Sequence, residues 1–161
     1  MLRENYNMRE IQRGQCLEEC FSKLKVLEVL PFAKLTILSP PSVSFQNLTN
    51  LKILNYHGLI DLVTSSTAKS LVQLKEMSVN ECERITEVVV REGGEDNELF
   101  TFTRLTRLKL DCLPNLTSFC SGSYSFKFPS FEEISVRQCP EIKIFSNGAF
   151  GTPKLEVHIT K

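Results

Sequence analysis

Seven apolar positions at offsets 0, 3, 6, 8, 11, 14 and 17 recur along this chain. The frame fits Leu71, Leu74, Met77, Val79, Cys82, Ile85 and Val88. It fits Phe21, Leu24, Leu27, Val29, Phe32, Leu35 and Leu38, and then Phe45, Leu48, Leu51, Ile53, Tyr56, Leu59 and Leu62. It fits Phe102, Leu105, Leu108, Leu110, Leu113, Leu116 and Phe119, and finally Phe128, Phe131, Ile134, Val136, Cys139, Ile142 and Phe145. All 35 sites are hydrophobic, where a chain that is 42% hydrophobic would supply about 15 by chance. A sixth, broken copy opens at Phe150 and ends in LEVHI, residues 155 to 159. The starts at 21, 45, 71, 102, 128 and 150 are 24, 26, 31, 26 and 22 residues apart, and self-similarity at such a period is the signature of a solenoid.

Within one unit, Leu-x-x-Leu-x-Leu reads as a short strand entered through a turn. In LKEMSV, Met77 and Val79 alternate inward while Ser78 points out. One such strand cannot bury its apolar face, but stacked copies can, each pairing with the next about 4.8 Å away. The later sites, such as Ile85 and Val88, bring the chain back across the core. The variable remainder then crosses the convex side. Short helical turns are expected there, as in TSSTAKSLVQL (64 to 74), with Ser66 or Thr67 as cap. REGGEDNEL (91 to 99) reads as an acidic loop and CSGSYSFK (120 to 127) as a Ser/Gly turn.

The 161 residues suit one domain, and 24% charge is globular. Formal net charge is zero, so nothing draws the chain electrostatically to nucleic acid or anionic lipid. MLRENYNMREIQRG is charged throughout, without the apolar core of a secretory signal, and no run approaches 18 apolar residues. The expectation is a cytoplasmic protein without membrane insertion.

The phrases STAKSLVQL, NECERITEVV and RQCPEIKIF, set in L-x-x-L-x-L-x-x-[N/C]-x-x-L, carry a family resemblance over residues 21 to 160. The chain resembles the C-terminal leucine-rich-repeat region of plant nucleotide-binding disease resistance proteins of the coiled-coil class. The resemblance implies an α/β solenoid: a horseshoe with a parallel concave sheet of about six short strands and irregular convex loops. Residues 21 to 161 form the repeat domain, and the polar residues 1 to 20 form a cap or the remnant of a preceding repeat. The buried Asn ladder of many family members is missing at offset 11, which is held by Phe32, Tyr56, Cys82, Leu113 and Cys139. Turn amides and carbonyls must then find other partners, so irregular stacking is expected. Such receptors also carry a nucleotide-binding module, and no G-x-x-x-x-G-K-[ST] occurs here. The resemblance therefore implies a fragment of a receptor or a truncated relative.

In such a horseshoe, outward residues of the strands line the concave face. The binding candidates are Glu28, Lys52, Asn55, Lys75, Ser78, Asn80, Arg107, Lys109, Asp111, Glu133, Ser135 and Arg137, with a central column Glu28, Lys52, Ser78, Lys109, Ser135, Glu156. The face reads as a surface for protein: an effector, a guarded host protein, or the receptor's own nucleotide-binding domain. For any single residue, a solvated position of mixed charge is the competing reading. A generic repeat adaptor, such as a ubiquitin-ligase substrate receptor fragment, is the alternative, although residues 1 to 20 are short for an F-box-like segment.

No cofactor, metal site or catalytic group is expected. Cys82 and Cys139 share a buried offset two repeats apart, about 10 Å, too far for a disulfide. They are expected as reduced core residues. Cys16 and Cys20 lack the further ligands that zinc requires, and Cys112 and Cys120 fall in no motif. His57 and His158 lie four repeats apart. The sequons at Asn47 and Asn115 each have a core leucine in the middle and read as accidental. At the C-terminal end, Leu155, Val157 and Ile159 read as a last strand whose uncapped edge favours self-association.

Overall fold

A computed structural model describes residues 21–29, 38, 44–93, 98–146, 148–151 and 156–160. Six strands make the concave sheet: β1 (Val26–Val29), β2 (Asn50–Leu54), β4 (Glu76–Asn80), β7 (Arg107–Asp111), β10 (Glu133–Arg137) and β13 (Glu156–Thr160). They stand in that order, all parallel. Leu27, Leu51, Met77, Leu108 and Ile134 form one row, each paired with the next, and Val157 continues it. This is the inward row that the frame predicts. Apart from Phe32, Leu35 and Phe145, whose side chains lie outside those described, every frame site is buried except Ile142, which is half-buried.

The spacing of three explains itself as turns. The amides of Leu24, Leu48, Leu74, Leu105 and Phe131 donate to the carbonyl three residues earlier at 3.1–3.4 Å, closing a turn at offsets 0 to 3. Leu116 and Ile142 close a second turn at offsets 11 to 14, donating to Leu113 and Cys139. Both ends of each turn are therefore apolar anchors in the core.

Between the strand and the second turn, the chain must change parity. Plain alternation would turn the residue at offset 10 inward. Instead Asn55, Glu81, Cys112 and Gln138 take φ of 50 to 54°, the left-handed region. That kink leaves offset 10 facing out and drives Tyr56, Cys82, Leu113 and Cys139 into the core. The kinked amides stitch neighbouring coils: Asn55 donates to Asn80 O at 3.0 Å, Glu81 to Asp111 O at 3.1 Å and Cys112 to Arg137 O at 3.0 Å. The thiols of Cys82 and Cys139 reach Asn80 O and Arg137 O at 3.3 and 3.1 Å, serving weakly where an asparagine amide would. Stacking along the concave sheet is consequently in uniform register, contrary to the irregular stacking expected from the missing asparagines.

Loop side chains add to the stitching. The Asn47 amide donates to Ser22 O and that of Asn115 to Glu83 O, both at 2.6 Å. The two sequon asparagines thus tie one coil to the one before, with Leu48 and Leu116 buried behind them.

The rest of each coil departs from loops and helical turns. A second parallel sheet contains β3 (Asp61–Thr64), β5 (Glu87–Val90), β8 (Ser118–Cys120) and β11 (Ile144–Ser146). A third contains β6 (Leu99–Thr101), β9 (Ser125–Lys127) and β12 (Phe150–Gly151). The segment expected to be a Ser/Gly turn is therefore half strand, with the turn confined to residues 121 to 124 between β8 and β9. Phe100, Phe102, Phe126 and Phe128 stack beneath the third sheet, with Phe102 and Phe128 centroids 5.3 Å apart and 3° from parallel. Among the described helical segments, α1 (Ser65–Ser70) is where TSSTAKS predicts a helix, but its cap is Thr64 rather than Ser66 or Thr67. Residues 1 to 20 and 94 to 97 and Leu155 lie outside the described residues, so the cap, Cys16, Cys20 and the tip of the acidic loop fall there.

Candidate recognition surface

The residues that alternate with the inward row fall into rows by register. One row reads Val26, Asn50, Glu76, Arg107, Glu133, Glu156. The central row reads Glu28, Lys52, Ser78, Lys109, Ser135, His158. His158, not Glu156, ends the central column, because β13 is paired with Glu133 opposite Glu156. A third row reads Leu54, Asn80, Asp111, Arg137, Thr160. Lys75 precedes β4 and Asn55 follows β2, so both flank the rows.

These positions are not equally available. Glu28, Asn55, Lys75, Arg107 and Arg137 are exposed; Lys52, Ser78, Asn80, Lys109, Asp111 and Glu133 are half-buried. Ser135 is 8% exposed although it faces the concave side. Lys52 Nζ lies 3.9 Å from Glu28 Oε1 with both side chains well solvated, a contact worth at most about 1 kcal/mol. The Asn50 amide donates to Glu76 at 3.3 Å. Arg107, Lys109 and Lys75 form no ion pair among the described residues.

The sequence reading missed a groove at the C-terminal ends of the concave strands. It has a volume of about 500 Å³ and is lined by Asn55, His57, Glu81, Glu83, Cys112, Pro114 and Gln138. Four of these are the kinked residues, so the frame itself, extended by one offset, was the signal that could have found it. Within it His57 Nδ1 lies 3.8 Å from Glu83 Oε2. The Cys112 thiol donates to Gln138 Oε1 at 2.6 Å.

The described thiols are held in their protonated form. Loss of solvation and the neighbouring Asp111 carboxylate hold the Cys112 thiol above its ordinary value of 9.0. Burial pushes Cys82, Cys120 and Cys139 the same way. A thiol that stays protonated at neutral pH is a poor nucleophile. Among the described residues no group of histidine, cysteine or carboxylate side chains has the geometry of a metal site, and no helix is long and apolar enough to cross a membrane. The surface offers shape, hydrogen bonds and charge.

Parallel coils in register, each opening on an apolar version of Leu-x-x-Leu-x-Leu, define a leucine-rich-repeat protein. Residues 39–147 match the family model described as plant disease resistance protein RPS2-like, leucine-rich repeats, and the chain belongs to that family. It is similar to the probable disease resistance protein At1g61310 of Arabidopsis thaliana, 28% identical over 137 residues that cover 84% of this chain and 14% of the relative. It is also similar to the probable disease resistance protein At5g47260 of the same plant, 32% identical over 123 residues that cover 73% of this chain and 12% of the relative. The chain thus spans less than a sixth of either relative. No solved structure gives a significant match.

Proposed function

We propose that the chain is a non-enzymatic recognition module of plant defence that works in the cytoplasm. Its concave face binds protein: a pathogen-derived effector, a guarded host protein, or the nucleotide-binding domain of a receptor. The observation that carries this reading is the set of three in-register outward rows on a six-stranded parallel sheet. On the inner strands β2, β4, β7 and β10 their polar side chains stand on a backbone hydrogen-bonded to a neighbour on both sides, so these positions are held in place. A rigid face loses little conformational entropy on binding. Stacked repeats generally present their concave side to partners in this way.

The test is site-specific photocrosslinking in plant leaf cells challenged to mount a defence response. A photoreactive residue replaces Asn80 or Glu133 on the concave side, or Lys127 on the third sheet. Discrete protein adducts from the two concave positions, absent from position 127, are the expected result. Adducts of equal yield from position 127, or none from the concave positions, would overturn the proposal.

A further inference from the structure

We draw no further inference here: the strongest candidate, the groove at the C-terminal ends of the concave strands with Glu81 and Glu83 in its lining, is an exposed acidic cluster on the recognition surface already described, and nothing in the structure shows what covers it.

Discussion

Cys112 shows how much one backbone angle does in this chain. A left-handed conformation costs a non-glycine residue roughly 1–2 kcal/mol, yet Asn55, Glu81, Cys112 and Gln138 all adopt it. The return is the parity change that buries the next residue and a hydrogen bond to the next coil. Glycine at position 112 removes the steric cost and adds backbone entropy to the unfolded chain, so Cys112→Gly should keep stability within about 1 kcal/mol of the parent. Cys112→Val, branched at Cβ in a left-handed position, should lose about 2 kcal/mol. Urea unfolding monitored by circular dichroism separates the two; equal stabilities would mean that the kink is not under strain. The core residues of the frame were legible because each is apolar and recurs at the same offset in every copy. The kink was not, because none of its four residues is glycine, the usual marker of such an angle. Its trace was the gap of three between Val79 and Cys82, which a strand cannot make.

At the scale of elements, α1 illustrates a local signal that was read one turn too late. Thr64 accepts from the Thr67 amide at 3.3 Å and caps the helix, while Ser66 turns to Glu92 of the following coil. Thr64→Ala should therefore cost about 1 kcal/mol, whereas Thr67→Ser should cost less. Glu92 adds a pH dependence. Burial raises its carboxyl slightly, but hydrogen bonds from Ser66 and Thr64 outweigh that and leave it below its ordinary 4.5. A carboxyl lowered on folding contributes stability that is present above the unfolded value and lost as pH falls through the folded one. Urea midpoints of the parent and Glu92→Gln should therefore differ at pH 7 and converge at pH 3; a constant difference would assign the contact no ionic part. The third sheet left a fainter trace. Its Phe100 and Phe126 lie outside the frame but alternate with Phe102 and Phe128, a strand pattern masked by the Ser- and Gly-containing residues beside it. Gly148 holds the same sheet together at one point, where a Cβ would meet the Tyr124 carbonyl. Gly148→Ala should loosen β12 from β9, seen as faster amide exchange at Phe126 and Phe128.

Over the whole molecule, each described strand pairs only with strands of the adjacent coils, and the concave row and the two other sheets run in the same coil order. The row was legible from sequence because the frame repeats five times; the closure of the coil into three sheets was not, since the segments between frames differ in length and composition. Stability in such an array is approximately a sum of coil and interface contributions, so the position of a lesion decides how far it spreads. Leu108 is fully buried with a paired coil on each side, and Leu27 is 2% exposed on β1, which pairs on one side among the described residues. Truncating either removes the same atoms, at about 2–5 kcal/mol. Leu108→Ala disturbs two interfaces, and melting there would separate the coils before it from those after it. Leu27→Ala disturbs one. Hydrogen exchange read by mass spectrometry should then show protection lost across β4, β7 and β10 in Leu108→Ala, and confined to β1 and β2 in Leu27→Ala. Uniform loss of protection in both variants would mean that the solenoid unfolds as a single cooperative unit, with no boundary between its coils.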